Sequence, residues 1–321
     1  MTKFALFTYN TGNIGDDIQS LAARRFLPRV DYMINRDFMN DFVADTDEKI
    51  KLIMNGWYSH QPKNFPLVNK QIEPLVTSVY IDDSVKQDFA SAENQAFFKR
   101  FSPIGARSAD TQRYFTDQGI DSYLSSCLTL TLKRDPKIKK GDFILALDVP
   151  NEVFDKVQRE SKVPVIRMSA DVIHRYMGGE RRLKVAEYYL YLYQSAQFVI
   201  TTRLHGTLPC LALETPVLNL EVEGFEPGRF EGLRELAHHM TVSEFLTSDF
   251  DVNNPPKNPK AYRTVRQQLV RRCKAFTGFD DQRGFLQGKS IEGLFSDPDL
   301  IQSLVTGLWS GQQYWGVVKY K

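Results

Sequence analysis

Residues 197–222 read QFVITTRLHGTLPCLALETPVLNLEV. Gln197 to Thr202 is an apolar, β-branched run of strand type, and Arg203, Leu204, His205 and Gly206 stand where it stops. Thr207 to Leu213 predicts a short helix, Pro216 ends it, and Val217 to Val222 predicts a second strand. Strand, helix and strand in so short a span make a βαβ unit, and such units build parallel sheets. Ligands bind beyond the carboxyl edge of these sheets, and a helix amino terminus there favours anions. A cation and a histidine at that edge therefore speak to function as well as fold.

Outward from this stretch the alternation continues. Strands at 142–148 and 163–168, with helices at about 151–160 and 179–196, complete one α/β unit. An earlier unit has strands at 3–9, 31–35, 49–54, 76–81, 103–107 and 121–125, and helices at about 16–27, 89–101 and 110–118. Asp16 or Asp17 is the expected cap of the first helix. Lys133 to Gly141, charged and interrupted by Pro136, is the candidate linker. The expectation is an α/β chain with one domain over 1–135, a second over 136–300, and a tail over 301–321 that packs back on the body. After Leu236 the pattern weakens, apart from a basic helix at about 260–276 whose arginines read as a solvated face. Tyr188, Tyr189, Tyr191 and Tyr193 read as core packing rather than a sugar platform.

Composition narrows the function classes. The chain has 321 residues, is 42% hydrophobic and 25% charged, and carries a net charge of +2. Those values suit a soluble globular protein and demand neither nucleic acid nor an acidic membrane as partner. The start, MTKFALFTYNTGN, has too short an apolar run for a signal peptide, no window suits a membrane span, and cytoplasmic residence is expected. Cys127, Cys210 and Cys273 lie far apart, so neither a disulfide framework nor a zinc site is expected. His60, His174, His238 and His239 stand in no ligand-like constellation and are read as non-metal.

Three loops carry candidate chemistry, each at a predicted strand end. In the first, Arg203 is a permanent cation able to grip carboxylate or phosphate, and His205 can be a proton donor near neutral pH. Gly206 there admits close approach of a ligand, and the amides of Gly206, Thr207 and Leu208 are anion donors. Against this stands a plainer reading in which Arg203 and His205 satisfy carbonyls. In the second, Asn10 to Asp17, the spacing is neither the P-loop nor the dinucleotide fingerprint, and two carboxylates repel an anion. A sugar hydroxyl suits Asp16 better, as hydrogen-bond partner or as general base. In the third, Arg107 is a second anion grip and Ser108 a helix cap, though a lone arginine there is more often a surface ion pair. Arg229 is a weaker donor-side candidate.

Taken in order, three stretches resemble the polysaccharide pyruvyl transferase family. They are Asn10-Thr11-Gly12-Asn13-Ile14-Gly15-Asp16-Asp17-Ile18-Gln19; then Gly105-Ala106-Arg107-Ser108-Ala109-Asp110-Thr111 with Cys127-Leu128-Thr129-Leu130-Thr131-Leu132; then Thr202-Arg203-Leu204-His205-Gly206 leading to Ala212-Leu213-Glu214-Thr215-Pro216-Val217. The resemblance covers roughly 4–235. It implies two Rossmann-like domains facing a cleft, similar to the glycosyltransferase B arrangement. It also implies a reaction in which phosphoenolpyruvate gives its enolpyruvyl group to two sugar hydroxyls as a ketal, with no further cofactor. Carried over residue by residue, Arg203 and His205 match the family's Arg-Leu-His motif, Arg107 its central arginine and Asp16 the acidic residue of its Gly-Asp loop. The expected site then has Arg203, Arg107, Leu204, Gly206 and Thr207 on the donor, His205 and Asp16 in the chemistry, and Asn10, Asn13 and Trp57 on the acceptor. The acceptor is then a sugar or lipid-linked glycan, with peripheral contact at the inner membrane face compatible with the basic stretch 260–274. Relatives have a glycine run where this chain has Asn55-Gly56-Trp57, so Trp57 shapes an acceptor pocket or bars a cosubstrate used elsewhere. Two other readings remain: a nucleotide-sugar glycosyltransferase of the same architecture, and a non-catalytic glycan-binding relative.

Overall fold

The computed structural model describes residues 2–171, 178–223, 227–290 and 292–296. Six strands, β1 (Lys3–Thr8), β2 (Tyr32–Asn35), β3 (Ile50–Trp57), β4 (Ile72–Tyr80), β5 (Ile104–Ala106) and β6 (Ser122–Leu124), form a sheet in the order β2-β1-β3-β4-β5-β6. Five more, β7 (Ile144–Leu147), β8 (Val165–Met168), β9 (Phe198–Thr201), β10 (Val217–Glu221) and β11 (His238–Thr241), form a second in the order β11-β10-β9-β7-β8. Every pairing is parallel. The helices are α1 (Ile14–Arg24), α2 (Lys86–Phe89), α3 (Ala92–Arg100), α4 (Ala109–Asp117), α5 (Asn151–Glu160), α6 (Gly179–Ser195), α7 (Leu204–Ala212), α8 (Pro227–Phe230), α9 (Val242–Thr247), α10 (Tyr262–Thr277) and α11 (Glu292–Phe295). The chain is thus α/β with two Rossmann-like sheets. In each, the strand order reverses beside the first strand, between β1 and β3 and between β7 and β9. Those reversals are where loops part and leave a crevice.

Local chemistry explains α1, with one correction. Neither Asp16 nor Asp17 caps it. Asn13 does, its Oδ1 accepting from the Gly15 amide at 2.8 Å. The helix therefore starts earlier than expected, and both carboxylates fall in its buried first turn, where the helix dipole favours them. Ser108 caps α4 as expected, accepting from the Thr111 amide. A strand was also missed: His238–Thr241 is β11, paired along β10, although alternation is weak there. Tertiary pairing overrides weak local propensity at such an edge.

The two sheets share one core. It runs from Phe4, Leu6 and α1 through Leu128 and Leu130 to Tyr189, Tyr193 and α7, with a further core on each outer face. The tyrosine cluster on α6 is accordingly packing, with Tyr189 and Tyr193 fully buried. Across this seam α1 and α6 are joined by buried ion pairs. Arg182 grips Asp17 with two bonds of 2.9 and 2.8 Å, and Arg24 meets Glu187 at 2.6 Å. The candidate linker is stitched down too, since Gln194 bonds Asp135 through both its amide and its carbonyl. The basic helix α10 is only partly a solvated face. Arg266 donates to the carbonyls of Leu132 and Ala212, and Arg272 sits 3.8 Å over the Tyr123 ring. The expected tail over 301–321 and His174 lie outside the described residues. Among the described residues no helix is long and apolar enough to cross a membrane.

Candidate functional site

The carboxyl edges of the two sheets meet. The Ile14 amide donates to the Ala170 carbonyl at 2.8 Å, and Asn13 and Asp171 form an isolated bridge. The loops after β1 and β8 are thereby in contact, and both reversal points open on the same crevice. A small cleft there is lined by Asn13, Ile14, Gly15, Ala170, Tyr193, Arg203, Leu204, His205 and Arg229. Arg107, at the end of β5, is buried next to it. Its charge and that of Arg229 act on each other and on His205.

Arg107 has the least satisfied chemistry. It is 1% exposed, its guanidinium lies 4.6 Å over the Tyr80 ring, and its Nε and Nη2 have no hydrogen-bond partner among the described residues. Burial, then the charge of Arg229, pushes its pKa down to about 10, which still leaves it a cation at neutral pH. A buried cation without a counter-ion is costly, and an anionic ligand removes that cost. It is therefore not the surface ion-pair residue that a lone arginine usually is.

Arg203 is also a cation of this rim, but its surroundings are opposite. Its Nε donates to Asp148 at 2.7 Å and its Nη2 to Asp171 at 3.0 Å. Burial opposes the charge, yet the two carboxylates hold the guanidinium above its ordinary pKa. Asp148 is 0% exposed and takes a left-handed backbone with φ 49°, a strained geometry for a non-glycine residue. Its Oδ2 also accepts from the Ala170 amide at 2.9 Å.

His205 falls within the first turn of α7, not in a loop before it. Arg203 is the residue at the helix cap, and its carbonyl takes the amides of both Gly206 and Thr207, at 3.1 and 3.0 Å. Those two amides are thus not the anion donors expected of them; the helix start leaves that role to Leu204 and His205. Gly206 does not face a ligand either. A Cβ there would lie 2.8 Å from Leu147 and from Thr201, so this glycine lets α7 pack on its sheet. The Thr207 hydroxyl donates to the Arg203 carbonyl and accepts from Asn219, which leaves it a scaffold role. The imidazole is 8% exposed, with Nε2 3.6 Å from Cys127 Sγ. A Cβ on Gly15 would sit 2.3 Å from its Nδ1, so only glycine fits at that contact. Burial, followed by Arg107 and Arg229, pushes its pKa down to about 3, with Asp16 opposing. His205 is therefore neutral near pH 7 and well below it.

On the facing side, Asp16 accepts from Thr11 at 2.6 Å and from Arg36 at 3.1 Å. Burial raises its pKa, but Arg36, the Thr11 hydroxyl and His205 outweigh burial and hold it below the usual carboxylate range. Such a carboxylate orients a hydroxyl better than it removes a proton. Trp57 is half-buried between His60, with ring centroids 4.7 Å apart, and Arg229, 5.3 Å over its face. Arg229 thus belongs to the site more firmly than its sequence context suggested. Asn10 is exposed, and Asn13 lines the cleft while it caps α1.

Sequence reasoning missed Asp148, Asp171, Arg36 and Cys127 as members of the site. Asp148 follows β7 in the same way that Arg203 follows β9, so the strand-end rule that found one also signals the other. Arg36 follows β2 in that way too, whereas Cys127, three residues past β6, gave no such signal.

A family model described as polysaccharide pyruvyl transferase matches residues 13–224, more than half of the chain. No curated protein matches the chain. Among solved structures, the chain is similar to the E. coli heptosyltransferase WaaC with ADP, at 11% identity and a TM-score of 0.34, over 87% of this chain and 100% of that one.

Proposed function

The chain belongs to the polysaccharide pyruvyl transferase family, and from that premise we propose that it transfers the enolpyruvyl group of phosphoenolpyruvate to two hydroxyls of one sugar. The product is a pyruvate ketal and inorganic phosphate, and no further cofactor takes part. The observation that carries this reading is Arg107, a buried cation with two nitrogens unpartnered among the described residues, beside a buried histidine. Phosphoenolpyruvate is a small compound with a carboxylate and a phosphate, the kind of charge such a site lacks.

The reaction needs a proton on the terminal methylene carbon. Protonation there forms a C–H bond and leaves an oxocarbenium-like centre at C2. A sugar hydroxyl attacks C2 and loses its proton, phosphate departs, and the second hydroxyl closes the ketal. His205 is the proton donor. Burial, then Arg107 and Arg229, hold its pKa down, and an anionic donor that offsets the two cations raises it and favours the charged ring as substrate binds. Arg107 holds the anions with Arg229, the Leu204 amide opens the helix towards them, and Asp16 orients the hydroxyl. The sugar or lipid-linked glycan acceptor lies on the Trp57 side. A lipid-linked acceptor brings peripheral contact with a membrane, and sedimentation with anionic liposomes at low salt tests that part alone.

The test is phosphate release from phosphoenolpyruvate over a panel of glycans. General acid catalysis contributes about 10²–10⁴-fold, so His205→Ala should lose turnover on that scale while keeping its circular dichroism spectrum. Near wild-type transfer by His205→Ala would remove the assignment of the proton donor. Stabilisation by nucleotide sugars and not by phosphoenolpyruvate would remove the reaction itself.

A further inference from the structure

We propose that Cys127 is a positioning residue that fixes His205 as its Nδ1–H tautomer, so that the nitrogen on the Asn13–Gly15 side of the ring carries the proton. The catalytic consequence rests on the reading of His205 given above; the tautomer itself does not.

The geometry is a short buried chain. Cys127 follows Ser126, whose backbone is left-handed with φ 59°, and its side chain is fully buried at the start of the turn that packs between α1 and α7. The Thr129 hydroxyl donates to Cys127 Sγ at 3.3 Å. The thiol hydrogen itself has no other acceptor among the described residues and is free to point at the sulfur's other neighbour, His205 Nε2 at 3.6 Å. A neutral imidazole has one donor and one acceptor nitrogen. If Nε2 accepts from the thiol, the proton stands on Nδ1. That nitrogen lies against Gly15, where a Cβ would meet it at 2.3 Å and Asn13 Oδ1 at 2.9 Å. Asn13, Gly15 and His205 together line the cleft.

The charged groups acting on the ring come from both halves: Arg107, Arg229 and Arg203 disfavour its cation, and Asp16 favours it. The resting ring is consequently neutral, and its tautomer decides whether a donor or an acceptor faces the ligand. When the ring is protonated, Nε2–H needs an acceptor in the same place. Sulfur serves as donor in the first state and acceptor in the second, so the ring keeps its orientation through a proton transfer. Serine can do the same; alanine cannot.

The protein has five histidines, few enough for direct observation. Protein labelled with 15N-histidine would be studied by long-range 15N–1H correlation at neutral pH, with the His205 signal assigned by its absence in His205→Gln. Wild type and Cys127→Ser should show Nδ1–H, whereas Cys127→Ala should move towards Nε2–H. In phosphate release from phosphoenolpyruvate, Cys127→Ala should lose about tenfold in kcat, part of the full general-acid contribution. KM for phosphoenolpyruvate should stay unchanged, and Cys127→Ser should restore the rate. An Nε2–H wild type, or a Cys127→Ala protein that keeps Nδ1–H, would overturn the proposal. The expected tautomers with unaltered turnover would uphold it and remove His205 as proton donor instead.

Discussion

Arg107 and Arg203 are the same side chain in like settings, each just past a parallel strand at the shared carboxyl edge. Their surroundings differ completely. Arg203 is held by two carboxylates and is 28% exposed through its side chain. Arg107 is buried over an aromatic ring with two nitrogens unpaired among the described residues. One cation is therefore neutralised by the fold, and the other stays in want of an anion. A motif that supplies two arginines does not supply two equivalent ligand grips. The partners decide, and the partners come from elsewhere in the chain.

The strongest way to break this comparison is Arg107→Met. Removing a charge that binds an anion in a desolvated site costs about 2–5 kcal/mol of binding, so phosphoenolpyruvate affinity by calorimetry should fall by that amount. Because no counter-ion among the described residues is stranded, the thermal midpoint should hold or rise. A lower midpoint with unchanged donor affinity would reverse the assignment. Arg203→Met should do the opposite in kind. It strands the buried Asp148 carboxylate, so denaturant unfolding should show a loss of about 1–3 kcal/mol, with a smaller change in donor affinity. Equal stability of the two variants would show that Asp148 and Asp171 do not hold Arg203 in solution.

The pH dependence sharpens the comparison. The folded pKa of His205 lies below its unfolded value of about 6.5, at about 3. The unfolded chain therefore binds a proton that the folded one refuses, and stability falls as pH drops from about 6.5 towards 3. His205→Gln should flatten that decline in urea titrations across the window. In the Arg107→Met background, with one of the two leading cations gone, wild-type His205 should contribute less of it. The smallest expected effect is at Trp57. Trp57→Ala removes the face over which Arg229 sits, a cation–π contact of about 0.5–1 kcal/mol at a partly exposed position. A few-fold rise in KM for the glycan acceptor, with KM for phosphoenolpyruvate little changed, is the outcome that keeps Trp57 on the acceptor side.

Much of the fold was legible because it is written in local patterns. Gln197–Thr202 announces β9 through its β-branched run, and the helix read at about 151–160 is α5, Asn151–Glu160. β11 was not legible, because HHMT has no pattern of its own and is a strand only by pairing with β10. In the site, the strand-end rule located Arg203, His205, Arg107 and the Asn10–Asp17 loop. It misjudged Gly206 and Thr207, whose amides close on the Arg203 carbonyl, and Asp16, which was read as a cap.

The sequence by itself determined which residue types stand at which strand ends, since alternation, breakers and caps act over a few residues along the chain. Only the tertiary structure decided their charge states and duties. Asp148 reaches Arg203 from 55 positions away, Cys127 reaches His205 from 78, and Arg182 locks Asp17 from 165. Electrostatic work depends on distance through space and on exclusion of water. Neither exists until the two sheets close their carboxyl edges on each other.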